Sequence, residues 1–265
     1  MTIIQVGASV AKILFQSLGP SGVAMLRTGL AGLILWLICR PKIRNVTRKE
    51  WSYILFYGLS IGGMNLVFYY GIRLIPLGLA VTVEYMGPLT LALIGSRKPR
   101  DFLWAFLAGL GVSLIVPWTG EGNVNPWGVL IVFLAGYLWA AYIYTGQKVT
   151  QRVQNSGALT FAMIIGALLI LPVAISTGDL FDVTPKTFAL GLTVAILSSA
   201  IPFTLDLFSL KRMPTKTFSI LQSLQPTFAA MVGLIFLGER LSGIQIIAIA
   251  CVILASMGSS LSREE

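Results

Sequence analysis

Long uncharged stretches alternate along this chain with short clusters of charge, glycine and proline. Uncharged runs cover residues 51–72, 122–147, 153–178, 217–238 and 241–262. Each run reaches the ~20 residues that a helix needs to cross the hydrocarbon core of a bilayer. None shows the alternation of polar and apolar residues that is typical of membrane β-strands. The pattern therefore predicts an all-α integral membrane protein.

Ten predicted spans result when the chain is divided at its charged, glycine and proline clusters. They cover residues 1–18, 21–39, 51–72, 76–95, 102–118, 127–146, 157–176, 188–210, 215–237 and 243–261. The polar stretch between the fifth and sixth spans separates two sets of five spans, at residues 1–118 and 127–261. We expect each set to form one structural unit.

The two halves resemble each other when the chain is shifted against itself by 138 residues. The shift superposes Arg73 on Lys211, Pro76 on Pro214, Glu84 on Gln222, Pro88 on Pro226 and Asp101 on Glu239. Because each half has an odd number of spans, the second copy enters the membrane upside down relative to the first. Such inverted repeats are the architecture of many secondary transporters. The alternative is chance similarity between two proline-containing apolar helices, since residues 97–98 fall opposite apolar residues.

The first span is predicted to be short at its cytoplasmic end. When Gly22 is aligned with Gly157, Trp127 at the start of the sixth span falls opposite a position about nine residues before Met1. Either a misplaced start or a genuine truncation explains this difference. In both cases we expect the cytoplasmic gate to be affected.

Composition and charge add an orientation to this picture. The chain is 56% hydrophobic and 11% charged, whereas soluble domains are about a quarter charged. Its net charge of +9 does not indicate nucleic-acid binding. The basic residues follow membrane orientation instead, because 14 of the 19 Lys and Arg residues lie on one predicted side of the membrane. Arg73, Lys186 and Arg240 lie on the other. The positive-inside rule then places both termini in the cytoplasm of a multi-pass protein in the bacterial inner membrane.

Several chemistries are not expected. The chain has no His, which is the commonest metal ligand. Cys39 and Cys251 lie within or at the end of predicted spans, so a disulfide framework is not expected. The sequence also has no phosphate-binding G-x-x-x-x-G-K-[ST] loop and no H-E-x-x-H motif. We therefore predict a protein that is not an enzyme and that needs neither a metal nor a cofactor.

Glu84 is the only charged residue between Arg73 and Arg97. It lies about nine residues into the fourth predicted span, which is roughly 13 Å along a helix and so near the bilayer centre. An acid at this depth usually marks an ion or substrate pathway. We predict that Glu84 binds protons or substrate. The alternative is a structural carboxyl group that is hydrogen-bonded between helices or paired with a buried cation.

Two prolines occupy corresponding positions of the two halves. Pro88 and Pro226 each stand four residues after a polar position, Glu84 in one half and Gln222 in the other. A proline leaves the carbonyl group four residues earlier without its helical donor. Matching helix kinks of this kind are typical of a central binding site between repeats. The alternative is a pair of kinks that serve only packing.

Lys12 and Arg27 lie within the first two spans, each six residues from the predicted turn at 18–21. Their side chains either extend to that surface or face a cavity and hold a substrate carboxylate. Arg27 is better suited to a bidentate contact. Asp206 stands five residues before Lys211, and we expect it to form an ion pair at the cytoplasmic interface rather than to bind substrate.

Polar and aromatic residues complete the predicted cavity. The candidates for its lining are Asn65, Tyr69, Tyr85, Trp139, Tyr142 and Gln222. Aromatic residues also serve as anchors at membrane interfaces, so each of these is a weak signal. Gly58 and Gly62 are four residues apart in the third span and predict close packing between helices.

Four segments carry a resemblance to a known family. They are GGMNLVFYYGIRLIPLGLAVTVEYMGP at 62–88, GASVAKILF at 7–15, AILSSAIPF at 195–203 and LGERL at 237–241. The chain resembles the threonine and homoserine exporter branch of the drug/metabolite transporter superfamily, with its two EamA-type halves. The resemblance implies ten helices in inverted repeats, a central cavity and export of small metabolites. Glu84, Arg27 and Lys12 stand in matching segments, whereas the shortened first span departs from the family pattern.

The resulting hypothesis is a proton-coupled exporter of small amino acids that works by alternating access. Its expected partners are an amino acid such as threonine or homoserine, protons and the lipid bilayer; the sequence does not define an oligomeric state. Two alternatives stay open. One is an exporter of another metabolite or drug from the same superfamily, and the other is a membrane protein that binds a ligand without transporting it.

Overall fold

The computed structural model describes residues 2–42, 46–94, 99–115, 124–153, 157–212 and 224–262. All regular structure within these ranges is helical. The helices are α1 (Thr2–Cys39), α2 (Arg48–Leu74), α3 (Leu77–Glu84), α4 (Met86–Ile94), α5 (Pro99–Ile115), α6 (Pro126–Arg152), α7 (Ala158–Ser176), α8 (Pro185–Ala195), a π-helical turn (Ile196–Ala200), α9 (Ile201–Arg212), α10 (Gln225–Leu237) and α11 (Gly243–Ser262).

Several of these helices are long and apolar enough to cross a membrane. Five such stretches occur in the described ranges, and the first, Ile3–Cys39, contains two predicted spans. Large apolar side chains point outward from the bundle; Phe56, Leu134 and Ile235 are 60%, 53% and 69% exposed. A surface of this kind is stable only against lipid. The prediction of an all-helical membrane protein is confirmed, and the count of ten spans stays a prediction.

Helix α1 turns back on itself at Gly19. The backbone of Gly19 has φ of 65° and ψ of 169°, and Pro20 follows it. Ile4, before the turn, and Arg27, after it, both contact Ser198. These two residues would be roughly 35 Å apart along a straight helix. The two arms of α1 therefore lie side by side, and glycine supplies the positive φ that the turn requires.

The predicted fourth span consists of two helical segments that are separated by one residue, Tyr85, whose backbone keeps helical dihedral angles. α3 ends at Glu84, Tyr85 forms a turn, and α4 begins at Met86. Pro88 lies in the first turn of α4, where a missing N–H is least costly. Pro226 lies equally early in α10. Both prolines thus stand near the start of a helical segment, and the interruption at Tyr85 leaves Glu84 at the end of α3.

Glycines allow the closest approaches between helices. A Cβ atom on Gly58 would lie 2.6 Å from the Ala162 carbonyl oxygen, and one on Gly62 would lie 2.6 Å from the Gly166 oxygen. The predicted close packing at this pair of glycines is therefore confirmed, against α7. A second crossing joins α6 to the end of α3, because a Cβ on Gly136 would lie 2.4 Å from the carbonyl oxygen of Glu84.

Several turns meet at one end of the bundle, which we call the Gly19 end. Lys12 donates to the Ile75 carbonyl oxygen over 3.0 Å and contacts Glu239. The carboxylate of Asp179 accepts hydrogen bonds from the backbone N–H and the hydroxyl of Ser21. These contacts join the turns that follow α2, α7 and α10 to α1.

Candidate functional site

A cavity that is partly open to the surroundings lies inside the bundle. Helices α1, α2, α3, α6, α9 and α10 and the π-helical turn all contribute to its walls. Its polar and charged lining residues are Gln5, Arg27, Asn65, Glu84, Trp139, Tyr142, Ser198, Asp206 and Gln225. Helices from both halves of the sequence therefore build one site.

Arg27 is held in this cavity by neutral groups. Its Nε donates to the Ser199 hydroxyl over 2.7 Å and its NH2 donates to the Ser198 carbonyl oxygen over 2.7 Å. Its NH1 donates to the Tyr69 hydroxyl over 3.2 Å. The side chain is only 6% exposed. A buried guanidinium that is bound by neutral acceptors keeps its positive charge uncompensated and available to an anionic ligand.

Glu84 is the acidic counterpart of Arg27 in the cavity. The residue is 8% exposed, and it makes neither a hydrogen bond nor an ion pair with the side chains that the structure describes. α6 packs directly on its backbone at Gly136. The backbone of Glu84 is therefore held close to α6. Its side chain lines the same cavity as Arg27.

Arg27 and Glu84 share the cavity without touching each other. Among the described residues, neither Arg27 nor Glu84 takes part in an ion pair within 4.0 Å, whereas Lys12 pairs with Glu239. Separate buried charges of opposite sign in one cavity match a small zwitterion, which carries an anionic and a cationic group on the same carbon skeleton. Both charges are then neutralised when the ligand binds.

Neutral side chains complete the wall near Glu84. Asn65 is 2% exposed and donates its amide N–H to the Ile61 carbonyl oxygen. Trp139 packs edge-on against Tyr85, with the ring centroids 5.3 Å apart. Asn65 and Trp139 therefore line the cavity, as predicted. Tyr85 packs against Trp139 and does not itself line the cavity.

Asp206 lies in the candidate site, which was not predicted from the sequence. It lines the cavity together with Glu84 and Arg27, and the ion pair that its sequence neighbours indicate stays a prediction. The helical path explains why its place in the cavity was not predicted. The π-helical turn at Ile196–Ala200 contains extra backbone per turn and rotates the residues that follow it, so the face of α9 cannot be read from regular α-helical spacing.

Lys12, a predicted site residue, does not line this cavity. Lys12 lies at the Gly19 end, where its Nζ is 2.5 Å from Glu239 Oε1. Glu239 Oε2 also accepts the backbone N–H of Leu77 at the start of α3, over 2.7 Å. The side chains of Lys12 and Glu239 are 21% and 14% exposed. Gln222 lies outside the described residues.

Four further functional candidates were not predicted from the sequence. They are Gln5, Ser198, Ser199 and Gln225. Neutral polar residues are frequent in membrane helices, where they usually bond to their own backbone. The available signals were weak: Gln225 directly precedes Pro226, and the two serines stand in the AILSSAIPF segment. They are functional candidates because Gln5, Ser198 and Gln225 line the cavity and Ser199 bonds to Arg27.

Comparison with known families identifies relatives of this chain. The profile of the EamA-like transporter family matches residues 2–117 and again residues 126–261. The threonine/homoserine exporter RhtA of Escherichia coli (strain K12) is 42% identical over 267 residues, which cover 99% of this chain and 89% of that protein. RhtA of Salmonella typhimurium (strain LT2) has the same identity and coverage.

A more distant relative and a solved structure also match most of the chain. An uncharacterized transporter of Archaeoglobus fulgidus is 23% identical over 246 residues and covers 86% of this chain and 83% of its own length. Among solved structures, one crystal structure superposes with a TM-score of 0.62 at 17% identity, covering 99% of this chain and 97% of the other. The last comparison concerns the fold alone.

Proposed function

This chain belongs to the EamA-like transporter family, and we propose that it exports threonine, homoserine and similarly small amino acids from the bacterial cytoplasm across the inner membrane. The observation that carries the proposal is the cavity with separate Arg27 and Glu84 side chains. Arg27 binds the carboxylate of the amino acid. Glu84 binds its ammonium group. The 42% identity to proteins named threonine/homoserine exporter supports the choice of substrate.

The architecture that we propose is ten membrane helices in two inverted repeats, at 1–118 and 127–261. The two separate matches to the family profile support this division. The helix contacts support it as well. A two-fold relation exchanges each predicted span with the span five places later. This exchange converts the contact of the third and sixth spans (α2–α6) into that of the eighth and first spans (α8–α1). It leaves the contacts of the fourth with the ninth span (α3–α10) and of the fifth with the tenth span (α5–α11) unchanged. Such invariance is expected of a two-fold related pair of repeats.

Transport in this proposal proceeds by alternating access. With both termini in the cytoplasm, the Gly19 end faces the outside, and the cavity extends from Arg27 toward Ile4 and Asp206 on the cytoplasmic side. Lys12 with Glu239 and Ser21 with Asp179 then close the outer side. Export requires these outer contacts to separate while the cytoplasmic side closes.

Proton antiport completes the proposed cycle through Glu84. The Glu84 carboxylate binds the ammonium group of the substrate during export, and the substrate is released on the outside. A proton from the outside then binds Glu84, the carrier returns, and the proton is released into the cytoplasm. Since ammonium and proton use the same carboxylate, they exclude each other, which is the requirement for exchange rather than symport.

The first prediction tests this cycle in proteoliposomes that contain the purified protein and labelled threonine. Wild-type protein is expected to support counterflow and to concentrate threonine when a pH gradient is imposed. Glu84→Gln should lose concentration driven by the gradient, because its amide cannot bind a proton, and it should retain measurable counterflow. Glu50→Gln is the matched control, because Glu50 lies in an exposed capping box with Thr47 and glutamine also serves in that position.

The same assay separates the alternatives. A wild-type rate with unchanged pH dependence in Glu84→Gln contradicts the coupling role of Glu84. Absence of saturable counterflow with any amino acid indicates a binding protein that does not transport. Competition by a drug or another metabolite, with none by threonine or homoserine, indicates a different substrate of the same family.

A further inference from the structure

The π-helical turn at Ile196–Ala200 lies directly against Arg27. Its defining hydrogen bond runs from the Ile201 N–H to the Ile196 carbonyl oxygen, five residues earlier. Ser198 and Ser199, at 1% and 0% exposure, are buried within it. Such turns are rare and frequently occur at functional sites, because the wider helical turn alters the direction of backbone and side-chain groups.

The turn presents two acceptors to one guanidinium. The Ser199 hydroxyl oxygen accepts Nε of Arg27, and the carbonyl oxygen of the preceding Ser198 accepts NH2, each over 2.7 Å. The acceptors come from adjacent residues on a short rigid segment. Two contacts to one planar group determine its plane and its rotation, whereas a single contact determines neither.

The remaining donors of Arg27 match a carboxylate. A guanidinium has five N–H groups, and Nε, NH1 and NH2 each use one of them on Ser199, Tyr69 and Ser198. One N–H therefore remains on NH1 and one on NH2. One N–H group on each terminal nitrogen is a donor set that a guanidinium can use for a bidentate contact to a carboxylate.

The turn is itself fixed against the other arm of α1. The Ser198 hydroxyl donates to the Ile4 carbonyl oxygen over 3.1 Å. A Cβ atom on Gly7 would collide with that hydroxyl, so glycine provides the space for the turn. Ser198 thus locates the turn, and its own contact to Arg27 is made by the backbone rather than by the side chain.

We propose that Ser199 is a positioning residue for substrate specificity: its hydroxyl orients Arg27 so that the two free N–H groups meet the carboxylate of an amino acid. This inference rests on the proposed function, in which Arg27 is the carboxylate ligand. The chemical class that Ser199 selects is therefore compounds with a free carboxylate, as distinct from amines of the same size without one.

The second prediction tests this role with two ligands. Threonine and threoninol, in which the carboxylate is reduced to a hydroxymethyl group, are compared in the counterflow assay as substrate and competitor. Ser199→Ala should raise the KM for threonine about tenfold, with the maximal rate changed less than about twofold and the inhibition constant of threoninol unchanged. The preference for threonine over threoninol should thus fall by about the same factor.

Two serine variants serve as controls. Ser60→Ala removes a buried hydroxyl that bonds to the Phe56 carbonyl oxygen of its own helix and does not line the cavity, and it should keep the wild-type preference. Ser199→Thr retains a hydroxyl and should restore most of the preference. If Ser199→Ala weakens both ligands equally, or changes neither, the positioning role is wrong. If wild-type protein shows no counterflow with threonine, the proposed function fails instead, and direct binding of the two ligands still measures their preference.

Discussion

Two pairs of opposite charge lie inside the same helical bundle, but only one pair is in contact. At the Gly19 end, Lys12 reaches Glu239 at 2.5 Å. In the cavity, Arg27 and Glu84 line one space and form no ion pair within 4.0 Å. The difference lies in what surrounds each cation. Neutral acceptors hold Arg27, whereas a carboxylate neutralises Lys12. A charge stays available to a ligand when neutral groups satisfy its hydrogen bonds.

The two pairs also differ in their role in the proposed cycle. A pair that is already in contact can lock two parts of the protein, because separating it exposes both charges again. A pair that is held apart can bind a zwitterion between its members. The following predictions test this distinction, and they are arranged from the largest expected effect to the smallest.

The third prediction concerns the cation of the cavity. Arg27→Lys keeps the charge but loses the planar fork, so it cannot satisfy Ser199, Ser198 and Tyr69 and also hold a carboxylate with two bonds. We expect the kcat/KM for threonine transport to fall about 100-fold. Arg240→Lys, at an exposed position, is the control and should leave transport unchanged. Equal losses in both variants contradict a specific role of Arg27.

The fourth prediction concerns the backbone beside Glu84. Gly136→Ala places a methyl group 2.4 Å from the Glu84 carbonyl oxygen, and the rigid backbone cannot yield as a side chain can. Overpacking of this kind costs about 1–3 kcal/mol, so the midpoint of thermal unfolding in detergent should fall and transport should decrease. Gly109→Ala, which has nothing within 4 Å of the new methyl group, should not destabilise. A wild-type midpoint in Gly136→Ala contradicts the tight crossing.

The fifth prediction concerns the closed pair at the Gly19 end. Glu239→Gln removes the charge that Lys12 contacts, and a partly exposed ion pair is worth only about 1 kcal/mol. The assay uses Ala8→Cys, which places one thiol in the cavity, in a protein from which Cys39 and Cys251 have been removed. We expect this thiol to react about fivefold faster in Glu239→Gln than in the parent protein with a membrane-impermeant thiol reagent that is added outside. Glu50→Gln, in the exposed capping box at the start of α2, is the control. An unchanged rate in Glu239→Gln means that this pair does not close the outer side.

The helical membrane architecture and two site residues were predictable because their signals are strong and local. A run of about 20 apolar residues has few stable alternatives to a membrane helix. Glu84 and Arg27 were also recognisable, because any isolated charge in such a run is costly and needs a reason. The interruption of the helix beside Glu84 was indicated in the same way by Pro88.

Other parts of the site had no local signal. Lys12 and Arg27 stand at equal distances from the turn at Gly19, so the sequence could not tell which of them faces the cavity. The answer depends on Glu239, which is 227 residues from Lys12. The place of Asp206 in the cavity was not predicted, because a π-helical turn precedes it and such a turn has no recognisable composition.

The sequence by itself therefore determined that the chain is a helical membrane protein, which charges are buried at a cost, and where its helices break. These properties follow from the transfer of individual residues from water to lipid, which depends on each residue and its near neighbours. Only the tertiary structure decided which charges meet and which stay apart. That choice depends on helix rotation and on contacts between distant segments, and here it separates the locked pair of Lys12 and Glu239 from the open pair of Arg27 and Glu84.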